Sequence, residues 1–338
     1  FWILDDITPL RQLNATVTGS SVYLFAPQVA YRVQRNVNTD TPLPPEEPAG
    51  QNPPDGAIIN YYFRQDPVLP IKLEIFDSKN QLVRRYSSDD DPVAINPNDY
   101  PVTPYWFQKR QYLAPRAGMQ RFVWDLKYAP TPAYGHGFPI SAIYQDTPLY
   151  PLGPSVLPGT YTVKLTANGK TFTQSLTVRI DPRVKTSPGD LTQQFNLSLQ
   201  AYRGMQQTYE AADKIKKLRA QIRTAIENVG RGPLAESLAN LDKKLAAIAG
   251  EGRGDGPGGG TIDVREPNLT RLNGGFSTLL EHLQSADLAP TQPMIEASFE
   301  LQKVLAKLLA DWENLKDTDI KAINAQLPRP NQPQLIFR

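Results

Sequence analysis

Proline is the residue that most restricts what this chain can fold into, because it is distributed so unevenly. Most of the 32 prolines precede residue 190, some in runs such as Pro42-Leu43-Pro44-Pro45 and Pro53-Pro54. Each removes a backbone donor and stops a helix. The first half must therefore be strands and long loops. Beyond Pro188, Leu, Ala, Gln, Lys and Glu recur at helical spacing with few prolines inside the periodic runs. Strands followed by helices, without alternation, predict two separate modules rather than a parallel α/β sheet.

Strand signals recur in the first half at Ala57–Phe63, Ile71–Phe76, Leu82–Tyr86 and Gln120–Leu126. Ile71, Leu73 and Ile75 alternate with Lys72, Glu74 and Phe76, the period-two pattern of a half-buried strand. Ser21–Val33 reads as the remnant of a strand pair or an extended connector. The best local signal is Gly159–Ala167, then Asn168-Gly169, then Lys170–Val178. Asn-Gly accepts the positive φ angles of a type I′ turn, whose twist matches that of flanking strands. Tyr161, Val163 and Leu165 are expected on one face with Phe172, Leu176 and Val178 as partners. Short antiparallel strands of this kind predict an immunoglobulin-like sandwich.

In the second half Asp190, with Gln193 three residues on, reads as an N-cap and capping box opening a long helix. Phe195, Leu199, Tyr202, Met205, Tyr209, Ala212, Leu218, Ile222 and Ile226 form its apolar stripe. Later helices carry Leu234, Leu238, Leu241, Leu245 and Ile248; then Leu269, Leu272, Phe276, Leu279 and Leu283; then Phe299, Val304, Leu308, Trp312 and Leu315. The predicted fold class is β then α: an antiparallel immunoglobulin-like β-sandwich followed by an antiparallel four-helix bundle. The expected divisions are a connector at 1–35, a Pro-rich linker at 36–56, the sandwich at 57–185, the bundle at 186–327 with a Gly-rich loop at 250–260, and a tail at 328–338.

Composition removes several function classes. Thirty-six Lys and Arg against thirty-four Asp and Glu leave a net charge of +2 spread along the chain, so nothing points to a nucleic acid. No apolar run reaches the roughly 18 residues of a membrane span. Zero Cys excludes disulfides, thiolate metal sites and a Cys nucleophile. Only two His exist, His136 and His282, and no Gly-x-Ser-x-Gly or His-Glu-x-x-His motif appears. Asp89-Asp90-Asp91 and Glu46-Glu47 are carboxylate pairs by type only, in loops where acids are normally solvated. The Gly250–Gly260 run lacks the Gly-Lys-Ser/Thr of a phosphate loop and reads as a linker. No catalytic residue, metal site or cofactor is expected. The aromatic loops are the best interaction surface, with Tyr105, Trp106, Tyr134, His136 and Tyr144 as candidate ligand-binding residues, although packing over the sandwich or on an upstream propeller is the favoured role for such aromatics.

Phe1-Trp2-Ile3-Leu4 opens the chain on an apolar, strand-like run, which predicts a piece of a longer protein. The ordered set Phe1–Arg11, Leu24-Phe25-Ala26-Pro27, Asn52–Ala57, Phe122-Val123-Trp124-Asp125-Leu126 and Leu157–Val163 resembles the region after the propeller in large bacterial secreted proteins built on sortilin-like, BNR-repeat β-propellers, often labelled glycosyl hydrolases. It spans about residues 1–185. The hairpin and the Trp-Asp strand are also similar to the immunoglobulin-like domain of flagellar hook-capping proteins. The resemblance implies an extracellular or periplasmic location, with residues 1–35 as the exit from an upstream propeller. The partners it implies are that propeller of the same chain and a protein or glycan. Sialidases carry their catalytic residues on such propeller loops, and none of those positions matches a residue here. The expected function is a non-catalytic structural and interaction module. The alternatives are part of a sialidase-like glycoside hydrolase with its active site in the propeller, and a carbohydrate-binding module centred on Trp106 and Tyr134.

Overall fold

A computed structural model describes residues 6–34, 44, 46–48, 53–90, 103, 106–108, 111–135, 137, 145–250, 266–327 and 335–336. It separates into a strand unit, running to Pro130 and resuming before Phe195, and a helical unit made of Thr131–Gly137 and Asn196 onward.

The strand unit opens on two short helices where only strands and loops were expected, α1 (Thr8–Gln12) and α2 (Ala15–Gly19, capped by the Asn14 side chain), and its described residues hold eight strands in two sheets. β1 (Val22–Leu24), β3 (Ala57–Phe63) and β6 (Gly118–Trp124) form a three-stranded antiparallel sheet in the order β1-β3-β6. β2 (Ala30–Arg32), β4 (Lys72–Phe76), β5 (Leu82–Ser87), β7 (Gly159–Ala167) and β8 (Lys170–Ile180) form a second sheet in the order β2-β8-β7-β4-β5. Ile59, Tyr61, Phe63, Leu73, Ile75, Trp124, Val163 and Leu165 fill one core shared by both sheets. Each fully buried side chain of this size contributes roughly 1.5–3 kcal/mol.

This is not the expected immunoglobulin-like sandwich. β2 runs parallel to β8, so the larger sheet is mixed, and it curls as a half-barrel. The reason lies between β1 and β2. Pro27 interrupts Phe25–Val29, and the Gln12 side chain occupies the main chain there: Nε2 donates to the Ala26 carbonyl at 2.9 Å while the Ala26 amide donates to Oε1 at 3.0 Å. A side-chain amide thus takes the place of a neighbouring strand. β1 and β2 are then free to join different sheets.

The expected hairpin does form. Asn168 and Gly169 have φ of 53° and 71°, and Tyr161 pairs with Leu176, Val163 with Gln174 and Leu165 with Phe172. Val178 extends the same row by one pair, across from Gly159, and is buried in the same core as Leu176.

The helical unit is not four equivalent amphipathic rods. α3 (Pro188–Val229) has 42 residues and rises about 63 Å. It is followed by α4 (Pro233–Ala249), α5 (Leu269–Gln284) and α6 (Gln292–Leu315), which continues through a π-helical turn at Lys316–Ile320 into α7 (Lys321–Gln326). α3 starts earlier than its expected cap: the Asp190 amide donates to Ser187 Oγ at 3.1 Å, and that hydroxyl donates to the Asp190 carboxylate at 2.7 Å. Ser187 caps the helix and Asp190 occupies the third helical position, where an acid also suits the helix dipole.

α5 departs most from a bundle helix. All its residues except Arg271, Glu281, His282 and Gln284 are buried, including Asn273, Gly274, Gly275, Ser277 and Thr278. A helix buried around most of its circumference is a central element, not a wall with one apolar stripe. Gly204 of α3 sets its depth, because a Cβ there would lie 2.6 Å from the Phe276 ring. On α6 the buried row is Leu301, Leu305, Leu308, Trp312 and Leu315, whereas Phe299 is 67% exposed and does not belong to it. Arg219 to Asp242, with bonds of 2.7 and 3.1 Å, ties α3 to α4.

Candidate functional site: an aromatic arm in the helical unit

After Lys127 the chain reads Tyr128-Ala129-Pro130-Thr131-Pro132-Ala133-Tyr134. Two prolines in alternation leave a segment that cannot form a helix and has few donors for a strand ladder. Its polar needs must be met from outside, and the Tyr134 amide donates to Asn273 Oδ1 at 3.2 Å. Asn273 is fully buried; its Nδ2 donates to the Met205 carbonyl at 2.9 Å and to Thr208 Oγ1 at 3.0 Å. The Thr208 hydroxyl is itself turned back onto the Gly204 and Met205 carbonyls. One amide side chain thus joins the arm, α3 and α5 within the helical unit.

The Tyr134 ring completes the docking. It stacks on Tyr209 at 4.9 Å between centroids with planes 29° apart, and Lys216 Nζ lies 4.1 Å from its centroid. The ammonium over the ring is a cation–π contact. Asp213, one helical turn from Tyr209, pairs with Lys217 at 2.7 Å. Burial pushes the Tyr134 phenol up to about 12, with Tyr209 and Asp213 adding to the shift. The phenol is therefore neutral at ordinary pH, and the ring serves as a stacking surface. Its hydroxyl and that of Thr131 are both buried without a partner within the unit.

Of the five residues singled out from the sequence, the structure describes Trp106 and Tyr134; Tyr105, His136 and Tyr144 lie outside the described residues. Trp106 belongs to the strand unit and Tyr134 to the helical unit. Trp106 is half-buried: its carbonyl accepts from the Thr147 amide at 3.1 Å and its amide donates to the Thr103 carbonyl. Phe107 beside it is buried and bridges Thr147. Asp90 closes the turn after β5, accepting from the Ser87 amide at 2.6 Å, with Arg85 at 3.8 Å. Asp91 and residues 251–260 of the Gly-rich run lie outside the described residues, and His282 is exposed on α5.

Asn273, Tyr209 and Lys216 were not singled out as partners of the arm. Asn273 carried a usable signal, an amide inside the otherwise apolar spacing Leu269, Leu272, Phe276, Leu279. Ser277 and Glu281 succeed it at four-residue spacing, on the same helical face. Burial raises the Glu281 carboxyl above its ordinary range, with His282 partly opposing the shift, and its Oε2 has no partner. Among the described residues no three His, Asp or Glu gather to hold a metal ion, and no helix is long and apolar enough to cross a membrane. Comparison with protein-family models, with curated proteins and with solved structures returns no match.

Proposed function

We propose that this chain is a non-catalytic structural and interaction module of a larger secreted bacterial β-propeller protein. The observation that supports it best is the condition of Tyr134. This loop aromatic, a natural candidate for stacking on a ligand, has one face against Tyr209, a lysine over the ring, its amide held by Asn273 and its phenol neutral. Side chains held in this way fix an element in place. The link to a propeller and to export rests on the resemblance of residues 1–185 alone.

A panel of glycosides and peptides presented to this chain tests the reading, with no turnover expected. Hydrolysis abolished by replacing one of the chain's own acids, Glu281→Gln among them, overturns it. Glycan-array binding that disappears in Trp106→Ala would replace it with the carbohydrate-binding reading. Activity found only in a longer protein carrying a propeller would place the catalytic residues outside this chain.

A further inference from the structure

β2 lies at the edge of the five-stranded sheet. In a parallel ladder the residues of one strand alternate, one supplying both its N–H and C=O to the neighbour and the next supplying neither. The Asp181 amide donates to the Arg32 carbonyl, and Arg32 is in register with Ile180, so Arg32 and Ala30 bond towards β8. The main-chain N–H and C=O of Tyr31 then point outward along the free edge.

The side chains obey the same alternation. Ala30 and Arg32 are buried, with an Arg32 guanidinium nitrogen donating to the Val156 carbonyl at 2.7 Å. Val29, Tyr31 and Val33 are 37%, 44% and 42% exposed. Sheet edges are commonly guarded by outward charges or bulges. The opposite edge of this sheet has both, with exposed Arg85 on β5 and a register shift between Ile75 and Phe76 in its pairing with β4. β2 exposes a tyrosine between two flanking exposed valines, and its one charge points inward.

We propose that β2 pairs with the β2 strand of a second copy of this chain, antiparallel about a two-fold axis through Tyr31. The evidence for a second copy, as opposed to another partner, is the sequence Gln28-Val29-Ala30-Tyr31-Arg32-Val33-Gln34, whose outward positions read the same in both directions. A two-fold axis at Tyr31 sets Val29 against a valine, Gln28 against a glutamine and Tyr31 against its own equivalent, as an isologous interface requires. Outward-facing residues fall opposite one another as hydrogen-bonded pairs, each exchanging two N–H···O bonds. Register is pinned on one side, where a shift of two residues brings Pro27, which has no N–H, into a bonding position. The net charge of +2 opposes self-association only weakly.

Sedimentation velocity over a concentration series tests the pairing, with a wild-type dimer expected. Tyr31→Lys puts two ammonium groups face to face on the axis and is expected to weaken association by about tenfold or more. Its circular dichroism spectrum should match wild type, because Tyr31 is exposed and packs in no core, while its melting midpoint should lose the concentration dependence that dimerisation confers. The chain has no cysteine, so Tyr31→Cys introduces a single thiol on the axis. Paired Cα atoms about 5.5 Å apart are within disulfide range, so oxidation should give a covalent dimer. Tyr112→Cys, equally exposed elsewhere, should not. A wild-type monomer at every accessible concentration overturns the proposal. So does a dimer that is insensitive to Tyr31→Lys, or one in which Tyr31→Cys crosslinks no better than Tyr112→Cys.

Discussion

Asn273 shows how much one buried amide can hold. It accepts from the Tyr134 amide and donates to the Met205 carbonyl and the Thr208 hydroxyl, the last two bonds wholly buried. Asn273→Ala strands these groups, and the expected cost is about 1–3 kcal/mol in urea unfolding. Steric limits act at Gly204 on the same helix pair. Gly204→Ala would bring a methyl to 2.6 Å from the buried Phe276 ring, with an expected loss of about 1–3 kcal/mol despite the better helix propensity of alanine. An unchanged midpoint would mean that α3 and α5 separate at little cost. Charge acts at Asp181, whose carboxylate accepts hydrogen bonds from the Arg183 amide and guanidinium and is held down at about 2 by them. With the folded value below the ordinary value of about 3.9, the contribution is complete above pH ~4 and disappears as pH falls through about 2. An NMR titration of the Asp181 carboxyl should show that low midpoint, and Arg183→Ala should move it up.

Among the elements, those set by short-range chemistry were legible from the sequence and those set by long-range partners were not. The hairpin of β7 and β8 needed only Asn168-Gly169 and an alternating row on each side, because the turn fixes the register of the two strands it joins. Gly169→Ala tests that dependence. Open space surrounds the new methyl, so the expected loss of about 1–2 kcal/mol is backbone strain at a φ of 71°, read from a thermal or urea midpoint. β2 was hidden because its three residues have no local signal for joining a sheet in parallel; their place depends on Gln12 occupying the main chain at Ala26. The role of α5 was hidden for a related reason. Its Leu and Phe spacing describes one buried face, but the burial of Gly274, Ser277 and Thr278 on its other faces comes from the elements that surround it. Phe299 misled in the opposite direction, since a phase set by Leu301, Leu305 and Leu308 leaves it in solvent. The candidate site divides in the same way: Tyr134 stood out as a loop aromatic, whereas Tyr209, Lys216 and Asn273 are far from it in sequence and become its partners only in the fold.

At the scale of the whole molecule, two hydrophobic cores are built from different parts of the chain. One joins both sheets around Tyr61, Leu73 and Trp124; the other joins α3 to α7 around Leu241, Phe276 and Trp312. Independent cores predict independent responses to mutation, even though α3 begins in one unit and continues into the other. Trp124 and Trp312 are buried one in each core and can report them separately in variants that keep only that one of the chain's four tryptophans. Leu73→Ala should lower the transition reported by Trp124, and Leu241→Ala the one reported by Trp312, each by about 2–5 kcal/mol. In each case the other transition should move by less than about 0.5 kcal/mol, the additivity limit for distant sites. If both reporters shift together in both variants, the 42 residues of α3 act as a rigid connection and the chain unfolds as one cooperative body. Separate transitions with the one reported by Trp124 at the higher temperature would instead mean that the strand unit, with its β2 edge, remains folded after the helical unit has melted. Dimer formation through Tyr31 would then survive to the higher of the two temperatures, so sedimentation between the two midpoints connects the stability of the units to the proposed interface.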